Sequence, residues 1–305
     1  MGVTSTLLDV TLFLLLVGAA AGVVVTAEPA SPAVQPDAAV RADDTATTLA
    51  TSTANVSAGA EPHPTKVAAD ESTAVAHDTL ANHLVAAAVG TTRIGGATES
   101  ATEPSPYRRA VTDRIRATLP PRTQVVVAWR PYPNASIGSR YRVGPRAPES
   151  ATVHAATQGV PTGVPAGRAA ALAAADGGFE AVAAVIATRV VDGLFPPRRT
   201  ALALGSEGGD AKRIRGRYRR IARELGVDAG RLGDVLAATD EESRDGSDAA
   251  GPPSTAAVAD ANRELTAALA DRVERDIRGT FDDPRAAARA VDTERAVVLV
   301  RTWSA

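Results

Sequence analysis

The densest run of side chains that can do chemistry lies between Asp210 and Leu225 and is mostly arginine. There Lys212, Arg213, Arg215, Arg217, Arg219, Arg220 and Arg223 surround an apolar stripe of Ile214, Tyr218, Ile221 and Leu225. A basic amphipathic helix of this kind can lie on anionic lipid, bind phosphate or meet an acidic partner. Lys212, Arg213, Arg217 and Arg220 are the candidate anion or lipid contacts. The plainer reading is a packed helix with a solvated arginine side, because Lys66 and Lys212 are the only lysines and Arg stands in for Lys throughout. Gly216 weakens the helix. The acidic stretch Asp240 to Asp248 can pair loosely with it, but lacks the ligand spacing and closing Glu of a calcium loop.

Other chemistries find no constellation. The chain has no cysteine, which removes disulfides, thiolate metal sites and cysteine nucleophiles. His77 and His83 are six residues apart on the sequence and fall on different faces of a helix, and His63 and His154 are remote, so no histidine metal site is expected. There is no P-loop, dinucleotide fingerprint or nucleophile elbow; Lys212 is misplaced for a Walker motif after the Gly205–Gly209 loop. No catalytic residue and no cofactor is expected, although an active site assembled from distant residues, with Arg130 and Arg301 meeting carboxylates, stays open. A net charge of −2 gives no global attraction to nucleic acid. Asn55-Val56-Ser57 and Asn134-Ala135-Ser136 are N-glycosylation acceptor patterns in polar stretches, so Asn55 and Asn134 are candidate modification sites if the body is exported.

The element that decides where all this sits is Leu7 to Ala27. From Val10 to Ala27 it carries no charge. As a helix it matches the hydrocarbon thickness of a bilayer. Its polar residues are too few for a core helix with one wet stripe. Residues 1–27 therefore read as a transmembrane anchor, with the bilayer as partner through residues 7–27. Pro29, Pro32 and Pro36 end that helix and make residues 28–36 a stiff stalk. Residues 37–305 then form the body, with internal boundaries near 159–167 and 240–254. No Lys or Arg precedes the helix and Arg41 is the first after it, so the flanking charges barely decide orientation. The short N-terminal tail and long C-terminal body favour an extracellular body. A cleaved signal peptide ending at Val25-Thr26-Ala27 is the alternative, giving a secreted binding module.

The body reads as α+β. Asp37 to Leu49, Asp70 to Val89, a helix opened by Ser105-Pro106, Phe179 to Phe195, Ser254 to Arg278 and the segment after Asp283-Pro284 are helical. Thr123 to Arg130 and Arg295 to Trp303 are the firmest strands, and both run from β-branched residues into Arg and Trp. They are expected in one antiparallel sheet and are candidates for neighbours. Arg140 to Val143 and Ala151 to Gln158 are further strand candidates. The expectation is a small, mostly antiparallel sheet packed by amphipathic helices behind one N-terminal membrane helix.

Three segments carry a family likeness: STLLDVTLFLLLVGAAAGVVV, VVVAWRPYPNASIG with VHAATQGVPTGVP, and DDPRAAARAV with VVLVRTW. Together they resemble an uncharacterised family of haloarchaeal membrane-anchored proteins, similar to minor pilin or TadE-like components found with type IV pilus-like assembly or secretion genes. The Ala-, Arg-, Asp- and Thr-rich composition is similar to that of salt-adapted organisms. The likeness implies a non-enzymatic, single-pass envelope protein that partners pilus-like or secretion subunits. It also implies that Asp9 stands where a pilin's acidic residue pairs with a neighbour's N-terminus.

Overall fold

The computed structural model describes residues 38–57, 75–95, 104–205, 209–230, 233 and 253–304. The anchor and stalk expected over residues 1–36, the sequence around His63 and the acidic stretch at 240–248 lie outside the described residues. Residues 38–305 form one compact unit.

Helix α1 (Ala38–Thr51) buries Ala42, Thr45, Ala46 and Leu49 at helical spacing. Its many threonines are poor helix formers, but the hydroxyls of Thr45, Thr48 and Thr51 bond back to carbonyls four residues earlier, at 2.7–2.9 Å. The chain then turns into β1 (Thr53–Ser57), which pairs antiparallel with β2 (Val75–Thr79) in a two-stranded ribbon. One helix over Asp70 to Val89 is therefore not what forms. Val75–Thr79 finds ladder partners in β1, and α2 (Leu80–Val89) begins only after Thr79. The Thr79 hydroxyl caps it by accepting from Asn82 N at 3.2 Å. Helix α2 is buried over most of its circumference, which a helix lying under a sheet requires.

After the two-residue strand β3 (Arg93–Ile94), α3 (Pro106–Thr118) starts as its Ser-Pro pair demands: Ser105 Oγ accepts from Arg108 N and proline sits in the first turn. The strands β4 (Thr123–Trp129), β5 (Ile137–Val143), β6 (Val153–Pro161) and β7 (Arg295–Trp303) complete a five-stranded antiparallel sheet in the order β3-β5-β4-β7-β6. The two Arg/Trp-ended strands are direct neighbours, with Val125 opposite Val300 and Val127 opposite Val298. The Trp129 indole N–H donates to Thr293 O at 2.9 Å, fixing the end of β4 to the entry of β7.

Between β6 and β7 the chain is helical: α4 (Arg168–Ala174), a short 3₁₀ turn (Ala175–Gly177), α5 (Gly178–Leu194), α6 (Pro197–Leu204), α7 (Gly209–Leu225), α8 (Thr255–Arg278) and α9 (Pro284–Arg289). Ser254 and Asp283 cap α8 and α9 by accepting from Ala257 N and Ala286 N. Helix α5 packs along α8, with Val182, Ile186 and Val190 of one and Leu265, Leu269 and Val273 of the other buried. Among the described residues, Arg168–Leu204 is the one stretch long and apolar enough to cross a membrane. It is not one rod, because it is interrupted at Gly178, with φ +85°, and at Pro196-Pro197. Its apolar face is spent against α8.

The chain is thus α+β, a mostly antiparallel sheet packed by helices around one continuous core. Strand alternation decides which sheet face enters that core. Val125, Val127, Trp129, Tyr141, Val143, Val298 and Val300 point into it and are buried.

Candidate functional site

The basic helix divides its cations between inside and outside. Arg217 and Arg220 turn toward the C-terminal end of α2: Arg217 Nη2 donates to Val89 O at 3.2 Å and Arg220 Nη2 to Thr92 O at 3.1 Å. Val89 O is one of the last carbonyls of α2, where positive charge is favoured, and Thr92 O lies in the turn that leads from it into β3. Arg217 also lies over the Phe195 ring at 5.2 Å, and Phe195 stacks on Tyr218. Burial, with Arg220 close by, pulls the Arg217 guanidinium down to about 10. Glu224 offsets this crowd: its carboxylate accepts from Arg93 Nη1 at 3.2 Å and from Ile94 N at 3.0 Å, and pairs with Arg220 at 3.8 Å. Arg217 and Arg220 therefore join α7 to α2, while Lys212 and Arg213 remain exposed on its outer side.

Both acceptor asparagines are exposed. Asn55 sits in β1 opposite His77, whose Nδ1 lies 2.6 Å from the Asn55 Oδ1. Asn134 crests the β4–β5 loop with φ +60°. That loop is pinned to α8: Asp276 accepts from Tyr132 OH at 3.0 Å and Ser136 N at 2.9 Å, and Arg272 Nε donates to Ser136 Oγ at 3.1 Å. His83 is a satisfied core histidine, donating from Nε2 to Ala54 O and accepting at Nδ1 from Tyr107 OH. Among the described residues no three His, Cys, Asp or Glu side chains converge as a metal site would require.

The largest feature the strand pattern creates is the sheet face opposite the core. The register places Arg142, Val126, Leu299 and Thr157 in one row across β5, β4, β7 and β6, and Arg140, Ala128, Val297 and Gly159 in the next. Gln124, Arg301 and Ala155 make the flanking row. At the other end Arg295 lies along β7, its Cδ 2.5 Å from where a Cβ on Gly159 would stand. At Gly138 a Cβ would first meet the Trp129 carbonyl oxygen, at 2.7 Å, with Arg130 Cγ next at 3.0 Å. Gly159 thus leaves the Arg295 stem room to lie along the sheet.

The result is an apolar centre of Val126, Ala128, Val297 and Leu299 framed by Arg130, Arg140, Arg142, Arg295 and Arg301. Val297 is 47 % exposed, and Val153 on the same face is 42 % exposed. Among the described residues these five guanidinium groups have no hydrogen-bond or ion-pair partner. The strands β3 to β7 contain no Asp or Glu at all. Arg130 and Arg301 do share a face, and among the described residues neither is paired with a carboxylate. The period-two spacing of Arg140 and Arg142 is the sequence signal for this face, and Arg295 and Arg301 share its parity on β7.

The profile of a family of unknown function, DUF7284, matches residues 8–303. The chain belongs to DUF7284. No curated protein and no solved structure matches it. The DUF7284 match starts inside the apolar N-terminal segment and ends at Trp303, the last residue of β7, so the family's sequence pattern takes in both that segment and the arginine-framed sheet. DUF7284 carries no assigned activity, and any function for this chain is argued from its own residues.

Proposed function

We propose that this DUF7284 chain is a non-enzymatic, single-pass envelope protein whose extracellular body works by contact, as an accessory component of a pilus-like or secretion assembly. The observation that carries a contact role is the sheet face itself. An antiparallel sheet with one face in the core and the other wet is ordinary. A wet face with five unpaired arginines, an apolar centre and no acid among its strands is built to receive an anionic surface. The uncharged run from Val10 to Ala27 supplies the anchor, and Pro29, Pro32 and Pro36 separate it from the body.

Protease treatment of intact cells expressing the full chain tests this reading. The body is expected to be degraded from outside, leaving a membrane-bound N-terminal fragment. A body protected in intact cells and cleaved only after lysis contradicts the extracellular placement. Release of a product beginning at Glu28 contradicts the anchor and gives the secreted alternative.

A further inference from the structure

We propose that the arginine-framed sheet face docks on the anionic phosphate headgroups of the bilayer that holds the chain; this rests on the membrane-anchored reading above. Three observations select this occupant. First, the face attracts only anions, because five guanidinium groups stand on it and no carboxylate lies in its strands. Like charge also excludes a second copy of the same face as partner. Second, the centre is apolar and partly exposed at Val297, Val153 at the edge of the face is partly exposed too, and arginine stems border the centre. Apolar residues edged by arginines are the composition of an interfacial membrane contact, in which guanidinium groups reach phosphates while stems and valines meet the acyl boundary.

Third, the face lacks what a nucleic-acid platform uses. Its one aromatic, Trp303, is 4 % exposed, so there is no ring on which bases can stack. Tethering adds to the effect. On the anchored reading, residues 28–37 reach at most roughly 35 Å, which keeps the face at high effective concentration over its own membrane. Each arginine near an anionic surface contributes about fivefold in binding, so four together account for a factor of several hundred.

The absence of cysteine makes the test clean. A single Thr157→Cys places an environment-sensitive dye on the face, on the edge strand β6 opposite Leu299, and Thr47→Cys places one on the exposed side of α1 as control. The labelled full chain is reconstituted in phosphatidylcholine vesicles and in vesicles containing phosphatidylglycerol. The dye at residue 157 is expected to brighten and shift to the blue only with phosphatidylglycerol, with reversal by high salt and no response at residue 47. The variant R140Q/R142Q/R295Q/R301Q is expected to lose the response; should it fail to fold, the salt reversal in the wild type carries the test.

Equal brightening on phosphatidylcholine overturns the proposal. So does a response to an oligonucleotide or to polyglutamate at lower concentration than to phosphatidylglycerol. Flotation with phosphatidylcholine vesicles separates the two claims: a chain that floats there but shows no dye response keeps its anchor and loses this docking face. A chain that floats only with phosphatidylglycerol loses the anchor.

Discussion

Arg295 on β7 lies flat across Gly159 on β6, in the space a side chain at Gly159 would need. The pair explains how a strand arginine stays on the sheet surface instead of standing off it. A methyl group at Gly159 collides with the mid-stem of Arg295, which can swing away, and the backbone there needs no positive φ. Gly159→Ala is therefore expected to change stability by less than about 1 kcal/mol in urea unfolding while weakening anionic-vesicle binding. A large stability loss, or unchanged binding, contradicts the role given to this contact.

Gly144 makes the opposite case. It follows β5 with φ +93°, and a Cβ there runs into the backbone carbonyl of Thr123, which has no freedom to move aside. Gly144→Ala is expected to cost about 2 kcal/mol or more, read as a lower urea midpoint with unchanged slope. The two substitutions are chemically identical, so their difference tests the geometry alone.

Among the described residues, Glu224 is the carboxylate that pairs with both Arg93 and Arg220, and Arg220 in turn lies close to Arg217. Removing its charge leaves the half-buried guanidinium groups of Arg93 and Arg220 facing one another. Glu224→Gln is expected to destabilise by about 1–3 kcal/mol, with part recovered when Arg93→Gln is added. Additive losses in that double-mutant cycle contradict the coupling.

All four tyrosines are held above the ordinary phenol range, in each case first by burial; Tyr107 is pushed up to about 12. A group whose folded value is raised gives stability that is complete below its unfolded value, near pH ~10, and is lost as pH rises through the folded value. Phenolate absorbance is expected to stay flat past pH ~10 in the native chain and then to appear in one cooperative step with unfolding. A gradual rise centred near pH ~10, with secondary structure intact, contradicts the burial of these rings.

Much of the fold is legible where local signals agree. Ser105-Pro106, Ser254 and Asp283-Pro284 cap helices as their residue types dictate, and the TQVVVAW and RAVVLVRTW runs pair side by side. Val75–Thr79 is less legible, because its strand character comes from β1, a partner beyond the reach of local periodicity. Arginine on α7 draws the eye by density, yet Arg217 and Arg220 are spent on the carbonyls of Val89 and Thr92. The open face joins β4, β5 and β6 to β7, which follows β6 only after more than a hundred residues of chain, so only the register reveals that its arginines meet.

The most direct test of the central claim is alkaline carbonate extraction of membranes from cells expressing the full chain, with the N-terminus of the recovered product sequenced. The account predicts that the chain stays in the membrane pellet with residues 7–27 intact, since high pH strips surface-bound protein but not a spanning helix. A chain that passes into the supernatant with those residues still attached contradicts it.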